Sequence, residues 1–281
     1  MDAVTSQRLK DCLRKVEPFS DTVQAVLKQL GEEPLNINKV CRTLELDPIL
    51  ASTILRLANS PFYGFARKIS SVKDAAVLLG VHTLRQVVIS FSMVSAFPMR
   101  GGHTIDRQAL WRHSVGVAVG AKLLAEQVGN NPDEAFIAGI LHDIGQFIMD
   151  QCLAEEYGGV VVYRHEHLCS LVEAEQALFG VDHATVGAAA IRMWKLPEPL
   201  SQSALAHAFP RVDQNPSPLN DLVHLANVIA LGLWADGAEE ADMEELSPAA
   251  MERLGLSWKQ LDGLIPKIDS MSQEVIGRLL H

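Results

Sequence analysis

The run Leu141-His142-Asp143-Ile144-Gly145 sets an imidazole beside a carboxylate inside an apolar stretch. Burying such a pair is costly unless each polar group finds a partner. Imidazole nitrogen and carboxylate oxygen together suit a divalent transition metal. Neighbours on a helix point about 100° apart, so His142 and Asp143 reach one ion only if it lies between their directions. Hydrogen bonds to adjacent helices would satisfy an isolated His-Asp pair equally well. Other polar residues stand in comparable surroundings. His113 opens a face with Gly116, Val117 and Gly120, small enough for a second helix to come close. His183 shares a face with Gly187 and Ala190, and His207 follows Leu200 and Ala204 by seven and three residues. Asn227 lies within Leu225-Ala226-Asn227-Val228-Ile229. One such residue is normally a satisfied core side chain. Five separated polar positions on helices that must pack inward point to a convergent site.

Helices must position these groups, because helical periodicity runs through the chain. Leu84, Val87, Val88, Phe91 and Val94 form the stripe of an amphipathic helix over 83–97. Asp47 is placed to cap a helix beginning at Pro48, with Leu50, Ile54, Leu57 and Ala58 on one face. Pro61 disfavours helical geometry before it, so that helix should stop near Asn59-Ser60. There Asn59 reads as a helix end whose side chain makes local hydrogen bonds, or as part of a ligand or partner surface. Ser170 and Glu173 make a capping box for a helix ending at Gly180, and Asp182 caps another running to about Trp194. The run from Val160 to Tyr163 is too short to build a sheet on. Pro98-Met99-Arg100-Gly101-Gly102 reads as a junction between two helical lobes, and the acidic stretch from Asp236 to Asp242 as a solvated loop.

Composition narrows the partners. Apolar residues make up 48% of the 281, which excludes a disordered class, and the 6% aromatic content favours helix over sheet. The longest apolar stretches, such as Val87 to Phe97, fall short of a membrane span, and no secretory signal is visible from Met1 to Lys15. A cytoplasmic protein is therefore expected. Cys12, Cys41, Cys152 and Cys169 are scattered without CxxC pairs and read as unpaired thiols. The net charge of −10 disfavours direct binding to nucleic acid. His165 and His167, in a charged stretch, read as solvent-exposed.

Several stretches together carry a family resemblance. They are Asp47-Pro48, Leu55-Arg56-Leu57-Ala58-Asn59-Ser60, Ile69-Ser70-Ser71, Ala75-Ala76, Leu79-Gly80, Leu110-Trp111-Arg112-His113-Ser114 and the His142-Asp143 run. In this order and spacing the chain resembles the HDOD family, a regulatory offshoot of the HD metal-dependent phosphohydrolases. The resemblance implies an all-α fold, an HD-type helical bundle preceded by an N-terminal helical lobe. Residues 1–100 would form that lobe and 101–281 the HD-like part of one continuous HDOD unit.

His113, His142 and Asp143 match the first three positions of the HD pattern, and Asn227 stands where its final aspartate is expected. His183-Ala184-Thr185-Val186-Gly187 resembles the His-Pro-x-x-Gly element of the HD-GYP branch. His207 falls near that branch's paired histidines, and the Gly-Tyr-Pro motif is absent. The implied metal ligands are His113, His142, Asp143, His183, His207 and Asn227, for iron, manganese or zinc, with Asp143 the catalytic candidate if the centre is active. An asparagine at 227 removes a charge and a carboxylate partner for an activated water. The expectation is a bacterial signal-transduction module, non-catalytic, with a retained metal site. It would bind a signalling protein or a small ligand such as a nucleotide, with no membrane association. The alternative is a metal-dependent phosphohydrolase acting on a nucleotide or cyclic nucleotide.

Overall fold

The computed structural model of the chain describes residues 3–60, 63–65, 67–98, 104–207, 216–234 and 246–279. The described residues form helices and no strand, the all-α class the sequence predicts. In order these are α1 (Ala3–Leu13), α2 (Asp21–Gln29), α3 (Ile37–Leu44), α4 (Pro48–Ala58), α5 (Val72–Ala96), α6 (Arg107–Val128), α7 (Pro132–Leu141) and α8 (Ile144–Cys152). They continue as α9 (Gly158–His167), α10 (Leu171–Phe179), α11 (His183–Met193), α12 (Glu198–Ala206), α13 (Pro218–Leu233), α14 (Pro248–Leu254) and α15 (Trp258–Leu279).

Local chemistry explains many of the boundaries. Asp47 accepts from the N–H groups of Ile49 and Leu50, and Pro48 occupies the first turn of α4. Ser170 and Glu173 close the expected capping box, and Gly180 ends α10 in left-handed geometry at φ +65°. Asp182 caps α11 through the N–H of Thr185. The short apolar run from Val160 to Tyr163 lies inside α9, and both His165 and His167 are exposed. The loop from Asp236 to Asp242, Pro61 and residues 99–102 of the expected junction lie outside the described residues.

The chain divides into two compact units. One comprises 1–16 and 99–269, the other 17–98 and 270–281. The chain's first 16 residues thus group with the larger unit and its last 12 with the smaller, so the units are not contiguous halves. In the larger unit α6 is central: it packs against α7 and α13, while α11 packs on α8 and α12. Close approach is built into the glycines. A Cβ at Gly139 would lie 2.5 Å from the Ala118 backbone, and one at Gly116 would lie 1.8 Å from the Trp234 ring. In the smaller unit α5 packs on α4, α3 and α2.

Two expectations need correction. Cys12 and Cys152 form a disulfide with their Cα atoms 5.7 Å apart, and only Cys41 and Cys169 are free thiols. The reason is packing: α1 lies against α8, which joins residues separated by 140 positions that no spacing rule links. Secondly, α5 is by length and composition apolar enough to cross a membrane. The apolar run near Val87 is extended toward the N-terminus by Val72–Leu79. Half of its most apolar window is buried within the fold, and Gly80 interrupts the helix at φ +76°.

Candidate metal centre

The His142-Asp143 pair does not lie within one helix. Leu141 ends α7, His142 caps it, and Asp143 adopts φ −102°, ψ 12° before α8 begins at Ile144. Asp143 makes no side-chain cap to α8, so its carboxylate is available to face inward. α11 can reach it because Gly145 and Gly187 let α8 and α11 nearly touch. A Cβ at Gly145 would sit 1.8 Å from the His183 carbonyl oxygen.

Five of the six residues singled out from the sequence come together here. Asp143 Oδ2 lies 3.1 Å from His142 Nε2 and 3.6 Å from His113 Nε2. Its other oxygen, Oδ1, lies 3.1 Å from His207 Nε2 and 3.5 Å from His183 Nε2. Within each pair the imidazoles are close: 3.2 Å between the Nε2 atoms of His113 and His142, and 3.3 Å between those of His183 and His207. Each carboxylate oxygen therefore belongs to a separate set with two imidazole nitrogens, all ligand atoms of a set lying within 4.8 Å of one another. The sixth residue, Asn227, is buried on α13 and hydrogen-bonds His113.

The outer ring nitrogens determine what faces inward. His142 Nδ1–H donates to Gly139 O at 2.7 Å, and His207 Nδ1–H to Ala204 O at 2.6 Å. His183 Nδ1–H donates to Glu175 Oε2 at 2.7 Å. A carbonyl or carboxylate only accepts, so Nδ1 carries the proton and a neutral ring turns its Nε2 lone pair inward. Four imidazole Nε2 atoms and one carboxylate converging in a buried space suit a cation. Outer acceptors of this kind also orient imidazole metal ligands and raise their basicity.

The electrostatics differ between the two sets. Burial and the neighbouring His142 push His113 down to about 4, only partly offset by Asp143 and Asn227. Burial would lower His183 as well, but Glu175, Asp143 and Asp182 outweigh it and raise it to about 9. Burial depresses His207 despite its contact with Asp143. Burial works to raise Asp143, yet His142 and His207 hold it well below the ordinary carboxylate range. His113 is the most open, its side chain 18% exposed, while the other four are 7% exposed or less.

The sequence profile of the HDOD domain matches residues 16–210. This chain belongs to the HDOD family. An HDOD domain protein of unknown function from Geobacter sulfurreducens is 27% identical, with a TM-score of 0.73 over 96% of this chain and 98% of the other. A Shewanella amazonensis SB2B protein classed provisionally as a phosphohydrolase is 25% identical, with a TM-score of 0.78 over 99% and 98%. An uncharacterized protein of Treponema pallidum is 23% identical over 223 residues, which are 78% of this chain and 43% of that one. This HDOD chain thus spans less than half the length of that relative.

Two members of the HDOD site were not found from sequence. Glu175 is fully buried on α10, where it accepts from His183 Nδ1–H and, at 2.8 Å, from the His183 main-chain N–H. Tyr157 donates its hydroxyl to the other Glu175 oxygen at 2.5 Å. Its phenol is raised well above the ordinary value, by burial first and by Glu175 next. The available signal was the apolar company of Glu175, between Ala174 and Phe179 on a helix that packs inward.

Proposed function

We propose that this HDOD chain is a regulatory module built around a two-ion divalent metal centre. His113, His142 and Asp143 would hold one ion, and Asp143, His183 and His207 the other, with iron, manganese or zinc suited to such nitrogen and oxygen donors. The observation that carries this reading is the single carboxylate whose two oxygens each face a separate pair of imidazoles. Ions in such a site supply Lewis acidity to a phosphate ester and acidify water. Asn227 argues for a regulatory rather than a hydrolytic use, because a neutral amide adds neither charge nor a proton acceptor there. The module would act in bacterial signal transduction in the cytoplasm, through a signalling protein or a small ligand that shifts its conformational balance.

A second reading, a metal-dependent phosphohydrolase acting on a nucleotide or cyclic nucleotide, is favoured by the opening at His113 and by the likeness to the Shewanella protein. In that case Asp143 would be the residue closest to the chemistry.

Elemental analysis of the full chain after loading with iron, manganese or zinc and gel filtration tests the metal centre. About two ions per chain are expected, and His142→Ala should lose metal while circular dichroism stays unchanged. A folded wild-type sample that retains no ion would overturn the proposal. Turnover of bis(p-nitrophenyl) phosphate or a cyclic dinucleotide by the loaded protein, abolished in Asp143→Asn, would replace the regulatory reading with the hydrolytic one.

A further inference from the structure

The smaller unit holds an open, surface-facing cavity of about 650 Å3 between the end of α4, the segment entering α5 and the last turn of α15. All of its lining residues belong to that unit, and none belongs to the metal centre. Arg56, Arg67, Lys68 and Arg278 line it, and none of the other described lining residues is a carboxylate. In a chain with 34 acidic and 24 basic residues, this is a local reversal of sign.

These charges are weakly neutralised within the fold. Arg67 approaches Asp74 only to 3.9 Å, and Arg278 approaches Glu274 to 3.4 Å. Both exceed the roughly 2.7–2.9 Å of a good charge-assisted bond, and both pairs are partly exposed. Arg56 donates to the Thr53 hydroxyl at 3.2 Å, and Lys68 has no partner among the described residues.

The cations are not needed to hold the wall together. Asn59 does that: its Nδ2 donates to the carbonyls of Leu55 and Ile69, and its Oδ1 accepts from the Ile69 N–H, each at 2.8 Å. Three bonds pin the segment entering α5 to the end of α4. Phe65 adds an aromatic wall and stacks on Tyr63, with ring centroids 6.5 Å apart and an interplanar angle of 10°.

We propose that this cavity binds a nucleoside phosphate, with its phosphates among the four cations and its base against Phe65. Guanidinium forks grip phosphate oxygens in pairs, and the lysine adds a point charge. An aromatic face stacks any base. The volume lies within the roughly 300–1,000 Å3 of small-ligand sites. The proposal requires no metal ion and stands whether or not the metal centre is loaded.

Isothermal titration of the full, chelator-treated chain with ATP and with inorganic pyrophosphate tests it, at about 0.1 M salt to limit unspecific attraction. Saturable ATP binding is expected, with pyrophosphate weaker. Arg56→Gln and Arg278→Gln should each weaken ATP by about tenfold or more. Phe65→Leu should weaken ATP and leave pyrophosphate unchanged, and Lys259→Gln, an exposed cation outside the cavity, should change neither. Circular dichroism on each variant verifies the fold. Absence of saturable binding or equal loss in Lys259→Gln would overturn the proposal. So would ATP and pyrophosphate binding alike with Phe65→Leu silent, which would mean a simple anion site.

Discussion

Glu175 accepts the Nδ1–H of His183, whereas the Nδ1–H groups of His142 and His207 go to main-chain carbonyls. His183 is thus the imidazole with a buried negative charge on its outer side, and it is raised from 6.5 to about 9 while His113 falls to about 4. In the metal-free protein at pH 7.5, His183 carries a proton on Nε2 and His113 does not. An ion entering the His183 set must displace that proton, because ligating imidazole is neutral. About one proton released per chain is expected on metal titration at pH 7.5, measured by calorimetry in buffers of different ionisation enthalpy. Release of none would remove Glu175 from the proposed role. The same shift contributes stability to the metal-free fold that is present below 6.5 and is lost as pH rises through about 9.

The α8–α11 crossing decides whether the two ligand sets share one carboxylate. Asp143 precedes α8 and His183 opens α11, so the distance between these helix starts sets the Oδ1 contact of 3.5 Å. Gly145 is the residue that permits it, since a Cβ there meets the His183 carbonyl oxygen at 1.8 Å and cannot be relieved by a side-chain rotation. Gly145→Ala should therefore force the helices apart and cost about 3 kcal/mol in a urea melt, at the upper end for overpacking. The variant should also lose the ion held by His183 and His207 before the one held by His113 and His142. A wild-type melting curve and metal content would show that the close crossing does not position the site.

Across the larger unit, the proposed ligands come from α6, the α7–α8 junction, α11 and the end of α12. An ion bound there ties together helices distant in sequence, and binding to the folded state alone stabilises it. At a hundredfold excess over Kd the gain is about 2.7 kcal/mol. For a unit of this size that is a rise in Tm of about 5–10 °C. Differential scanning calorimetry with metal and then with excess chelator should show this shift and its reversal. An unchanged Tm would exclude an ion that bridges these helices.

What the amino-acid sequence determined by itself was local or cumulative. Asp47, Ser170 with Glu173, and Asp182 mark helix starts because a cap is satisfied within one turn. The histidines and Asn227 stood out because a polar residue on an apolar helical face needs a partner, and the ordered motifs carried the HDOD family. Tertiary structure alone decided which groups meet. It assigned one Asp143 oxygen to each histidine pair and placed Glu175 behind His183. It also joined Cys12 to Cys152 and placed Arg278 and Arg56 in the lining of one cavity. Those contacts span tens to hundreds of residues and depend on how helices cross, which the spacing of residues along one helix does not encode. Helix caps are decided within a turn, whereas a buried site is decided by the packing of all the helices that surround it.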